Sequence, residues 1–168
     1  KAHLYKQILI SLRLNPQHKN VKLHIRGQLD FATILYQKGL YKQSLKILDK
    51  AKSFALKYDE NASAYEIVEF EKLIESLYVT RSLSNRTNEL VSQTNHLKEQ
   101  NDIYSNLSNI SLQLYEKLIK AGYAKSDNES NDINEFFNHK IKSFKVEELG
   151  FRETLIYYQI WVWYSLLI

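Results

Sequence analysis

The residues with chemistry to offer in this 168-residue chain are five histidines, a cluster of glutamates and a series of lysines. His3, His18, His24, His96 and His139 never pair at the i, i+4 spacing that would put two imidazoles on one helical face. No Glu-x-x-His step occurs, so the ligand pattern of a helical-bundle di-iron site is missing. Glu66, Glu69, Glu71 and Glu75 crowd together. Such carboxylates can hold a cation or share a proton, but without a histidine among them they read as solvated acids on an exposed face. There is no glycine-rich phosphate loop, no Gly-x-Ser-x-Gly, and no His–Asp constellation beside the many serines. The chain has no cysteine, which excludes disulfides, thiol nucleophiles and thiolate metal sites. These patterns point to a non-enzymatic protein, with no cofactor and no metal expected.

The charge is more informative than any single residue. The net charge is +4, yet residues 1–58 carry twelve Lys/Arg against two Asp/Glu, while residues 59–168 carry eleven against seventeen. The first part is therefore about +10 and the second about −6. A basic segment attracts an acidic partner. The plainer alternative is two solvated faces, or attraction between the two parts of the chain itself.

One proline and four glycines are too few to turn an all-β chain, and apolar residues recur at helical spacing. Seven helices are expected. The first covers Ala2–Arg13, with Leu4, Ile8 and Leu12 inward, and stops at Asn15-Pro16. The second covers Val21–Lys38, with Val21, Ile25, Leu29, Ala32, Leu35 and Tyr36 in its stripe; Gly39 follows as a left-handed cap. The third covers Tyr41–Tyr58, with Leu45, Leu48, Ala51, Ala55 and Tyr58 inward and Lys42, Lys46, Lys50, Lys52 and Lys57 mainly off that stripe. The fourth, Ala62–Thr80, has a broad apolar surface that includes Tyr65, Val68, Phe70, Leu73, Ile74, Leu77 and Tyr78.

The fifth helix, residues 85–121, contains no Gly or Pro and would be ~55 Å long if continuous. Leu83, Leu90, Leu97 and Tyr104 recur every seven residues along a thin stripe in its polar first half. That half either projects and pairs as a coiled coil, or is the polar start of a long repeat helix. A polar loop is expected at 125–132, then a short sixth helix at Ile133–Phe144 and a seventh at Phe151–Ile168. The seventh is apolar nearly all round but too short to span a bilayer, and is expected to lie buried between two neighbours. No membrane span is expected.

Within the second and third helices the spacing is specific. Ala32 and Ser44 are small residues where the helices would cross, Gly39 makes the turn, Tyr41 plugs the hairpin, and Ala51 leaves room for the next one; Leu35 and Leu48 fill the core between. This run, 23–58, resembles the tetratricopeptide repeat, a helix–turn–helix unit of 34 residues. Gln28 stands where the family often has tryptophan, and Leu56 where the repeat often ends in proline. The other helices match by architecture only. The whole chain is also similar to bacterial helical-repeat proteins of no known activity.

The resemblance implies an all-α fold: antiparallel hairpins stacked as an α-solenoid over 1–168 as a single domain. It implies ligand-facing positions at Arg26, Leu29, Thr33, Tyr36 and Gln37, with Lys57 and Tyr58 at the end of the pair. Leu29 and Tyr36 equally suit packing on a neighbouring helix. The expected function is a protein-interaction scaffold with a protein or peptide partner, acidic by charge. The alternatives are a basic nucleic-acid- or ribosome-associated module, and a structural module that self-associates through the fifth or seventh helix. The lack of cysteine and of a visible leader suggests the cytoplasm. The start at Lys1 and the apolar run ending at Ile168 suggest a piece of a longer protein.

Overall fold

A computed structural model describes residues 2–14, 20–77 and 83–168 of the protein. Among them are seven α-helices, one 3-10 turn and no strand. The helices are α1 (Ala2–Leu14), α2 (Val21–Gln37), α3 (Tyr41–Lys57), α4 (Asn61–Leu77), α5 (Leu83–Ala121), α6 (Asp127–Ile141) and α7 (Phe151–Leu167). The stop at Asn15-Pro16 and the positions of Tyr78 and Thr80 lie outside the described residues, as do the side chains of Leu12 and Leu83. The chain divides into two compact units, Lys1–Leu97 and Lys98–Ile168.

In the first unit α2, α3 and α4 are each 17 residues long. They are joined by two turns of one kind. After α2, the Gly39 amide donates to the Tyr36 carbonyl and the Leu40 amide to that of Leu35, with Gly39 at φ +73°. After α3, the Asp59 amide donates to Leu56 and the Glu60 amide to Ala55, with Asp59 at φ +54°. Both are Schellman caps, in which a left-handed residue lets the chain satisfy the last carbonyls and reverse at once. Only glycine takes that conformation without strain, so Gly39 is the natural residue there and Asp59 is a costlier substitute.

Short turns force consecutive helices antiparallel. Ala32 and Ser44 are fully buried where α2 meets α3, and the Ser44 hydroxyl donates to the Ala32 carbonyl at 2.8 Å. Around that crossing the core collects Ile25, Leu29, Leu45, Leu48, Ala51, Ala55, Ala64, Ile67, Val68 and Ile74. The first half of α5 adds Leu90 and Leu97. Leu90 and Leu97 of the thin stripe are thus packed into the first unit's core and do not form a projecting seam. On α1 the outcome differs from expectation: Leu4 and Ile8 are exposed.

The second unit has its own core, made by Leu107, Ile110 and Leu114 of α5, Ile133, Phe137 and Ile141 of α6, and Ile160 and Leu167 of α7. Phe137 stacks on Tyr164, whose hydroxyl donates to Asn134 Oδ1. The segment 127–132, expected as loop, is helical. Ser126 caps α6 by accepting the Glu129 amide, and the Glu129 carboxylate accepts from the Lys125 amide. A Ser-x-x-Glu capping signature outweighs local polarity, because it satisfies amides that the first turn cannot. The expectation that α7 is buried between two neighbours is corrected. Its packed face carries Ile160 and Leu167, whereas Phe151, Leu155, Tyr158, Val162 and Leu166 on the other side are exposed. No helix among the described residues is long and apolar enough to cross a membrane.

Candidate interaction surface

The Gly39 turn fixes which side of α2 faces α3, and so which side faces out. Ile25, Leu29 and Ala32 point into the core. On the opposite side Leu23, Phe31 and Ile34 are 46, 56 and 53% exposed. Gly27 shares that side, and among the described residues a Cβ built on it would meet nothing within 4 Å. Their spacing stacks them along one outward stripe.

The seven ligand-facing candidates divide three ways. Arg26, Thr33 and Gln37 are exposed, and their spacing of seven and four residues places them together along one flank of the stripe. Arg26 is already engaged: its Nη1 donates to Glu66 Oε1 at 2.8 Å. The Thr33 hydroxyl donates to the Leu29 carbonyl. Lys57 and Tyr58 sit at the end of α3, where the Lys57 ammonium lies 5.7 Å from the Tyr58 ring centre. A contact run of His24, Phe54 and Tyr58 links them to the start of α2. Leu29 and Tyr36 turn inward: Leu29 is in the core, and Tyr36 packs edge-on to Phe70 and against Tyr41. The hairpin residues Leu35 and Tyr41 are half-buried, and Leu48 and Ala51 are buried.

On α3 the lysines separate. Lys42, Lys46, Lys50 and Lys57 are exposed, and their four- and seven-residue steps form one outward row. Lys52 leaves the row and is buried. Its Nζ lies 2.6 Å from Glu71 Oε2 of α4 and 3.2 Å from the Gln93 side-chain oxygen of α5. Arg86, at the start of α5, completes the group. Its Nη2 is 3.2 Å from Glu71 and 3.5 Å from Asp49, and its Nη1 donates to Glu89 at 2.9 Å.

Glu71 is fully buried, and burial pushes its carboxyl up from 4.5 to about 7 although Lys52 and Arg86 both favour the charged form. The hydrogen bond from Arg86 lowers Glu89, and its charge adds to this. Glu71 Oε1 and Arg86 Nε are buried without a hydrogen-bond partner among the described residues. A charge group of this kind gives little net stability, but removing one member leaves the remaining buried charges less well compensated, which is destabilising.

The glutamate cluster is therefore not one solvated face. Glu66 pairs with Arg26 and Glu69 with Lys72, while Glu71 and Glu75 are buried. The signal for this was in the register. Ala64, Ile67, Val68 and Ile74 define the buried face of α4, and positions 71 and 75 fall on it. Lys52 likewise follows Leu45 by seven residues and Leu48 by four. Among the described residues no group of His, Asp or Glu is placed to hold a metal ion. Comparison with known proteins gives no match to any family model, curated protein sequence or solved structure.

Proposed function

We propose that this protein is a non-enzymatic interaction module whose α2 receives an acidic amphipathic helix of a protein partner. One observation carries this reading: the outward apolar stripe of Leu23, Phe31 and Ile34 has Gly27 at its middle. A glycine inside a helix costs about 1 kcal/mol relative to alanine, and none of the described residues crowds this one. Its use is then to let another backbone come close. The charge of residues 1–58, about +10, favours an acidic partner. In the same reading the α2–α3 hairpin is a tetratricopeptide-like unit, supported by the Ala32–Ser44 crossing and the Gly39 turn, and it belongs to a solenoid of hairpins. The absence of cysteine suits work in the cytoplasm.

Titration with a synthetic acidic amphipathic helical peptide is the test. Phe31→Ala is expected to weaken binding about tenfold, as loss of an aromatic anchor does. Gly27→Leu is expected to weaken it further while leaving helix content intact. No binding to acidic peptides, or binding that ignores both changes, overturns the reading.

A second reading is contact with nucleic-acid phosphates, favoured by the row of Lys42, Lys46, Lys50 and Lys57. A salt titration of RNA or DNA binding separates it, because phosphate contacts weaken steeply with salt.

A further inference from the structure

We infer that the outer face of α7 pairs with the same face of a second copy of this chain, antiparallel and about a two-fold axis. This does not rest on the α2 surface; the two stand or fall separately.

The pattern of exposure is the starting point. Phe151, Leu155, Tyr158, Val162 and Leu166 are 70, 55, 55, 54 and 52% exposed. Successive steps of four, three, four and four residues keep them on one stripe. Fifteen residues separate the first from the last, about 22 Å along the axis. Monomeric proteins seldom leave so continuous an apolar strip in water.

The spacing of the strip is self-complementary. Reflect it about the point midway between Tyr158 and Gln159. Phe151 then falls opposite Leu166 of the second copy, Leu155 opposite Val162, and Tyr158 opposite Gln159. Every apolar side chain of the strip meets an apolar one or, at the axis, a phenol meets an amide that can hydrogen-bond to it. The most exposed ring, Phe151, faces an aliphatic residue instead of its own copy. Such mutual matching is what an isologous two-fold interface requires.

Charge does not oppose the pairing. Residues 154–168 contain no Asp, Glu, Lys or Arg, so a two-fold axis brings no like charges face to face. Antiparallel helices also set opposite ends of their dipoles together. A heterologous partner specified by charge has nothing on this strip to read. In area, five half-exposed side chains of this size cover about 1,000 Å² when two copies are counted, the lower bound for a specific interface. The expected dimer is therefore one of moderate affinity.

Sedimentation of the intact chain tests the first part. A species of twice 19.9 kDa is expected to grow with concentration over the micromolar range. The register is tested by charge exchange at exposed positions. Leu155→Lys and Val162→Glu should each leave a monomer of unchanged helix content. The double variant L155K/V162E should restore the dimer, because antiparallel pairing sets each new lysine against a new glutamate. Parallel pairing would set lysine against lysine and give no rescue. The inference is overturned by a monomer at all concentrations. It is equally overturned by a dimer indifferent to both single changes, by failure of the double variant to recover, or by a monomer that instead sediments with lipid vesicles.

Discussion

Glu71 ties the stability of the first unit to pH. Its carboxyl is raised by burial from 4.5 to about 7, so the folded chain holds that proton more tightly than the unfolded chain does. The contribution of this group to stability is therefore full below pH 4.5 and is lost as the pH rises towards 7, by on the order of 3 kcal/mol. Lys52 and Asp49 of α3 and Arg86 of α5 face it, and Glu89 of α5 pairs with Arg86. Glu89 acts with the opposite sign: lowered by Arg86, it adds stability above the ordinary carboxylate range that is lost as pH falls through its own lower value. Chemical denaturation of Glu71→Gln across pH 4.5 to 7 should show a flatter profile than the parent chain. An unchanged slope would assign the pH dependence to other groups.

At the scale of elements, the first half of α5 is held, among the described residues, by few apolar groups. Among the described side chains Leu90, Thr94 and Leu97 are its buried residues, and Arg86 fastens its start to α3 and α4. Arg86→Met should raise amide hydrogen exchange over residues 86–97 while the amides of α2 and α3 keep their protection, because regions open according to their own contacts. The α2–α3 turn depends on a single conformation instead. Gly39→Ala should cost about 1 kcal/mol in denaturant unfolding, the strain of placing a Cβ in the left-handed region, with no change in helix content.

At the scale of the whole molecule, each unit has a separate core, and α5 contributes to both. Leu48 is fully buried in the first and Leu114 in the second. Leu48→Ala should cost about 2–5 kcal/mol from lost transfer energy and the cavity left behind. Hydrogen exchange should show the loss mainly in α2, α3 and α4. Leu114→Ala should show it mainly in α6 and α7. A uniform loss across the chain in either variant would mean that the two cores unfold as one.

The helices, their order and much of their inward faces were legible in the sequence, because helical periodicity and the turn residues act locally. Ala32, Ser44 and Gly39 could be assigned roles from spacing alone, since a tight hairpin leaves few choices at its crossing and its turn. Even the missed start of α6 was written locally, in Ser126 and Glu129. What only the tertiary structure decided is which polar residues are enclosed and which apolar ones are left outside. Glu71 and Lys52 lie on buried faces because α3, α4 and α5 converge there, and a charge's solvation is set by those neighbours, not by its own helix. The same holds for Leu4 and Ile8 of α1, for Gly27 and Phe31 on the outward side of α2, and for the strip from Phe151 to Leu166. An apolar stripe in a sequence states that burial would be favourable; only packing shows whether the chain itself provides the cover.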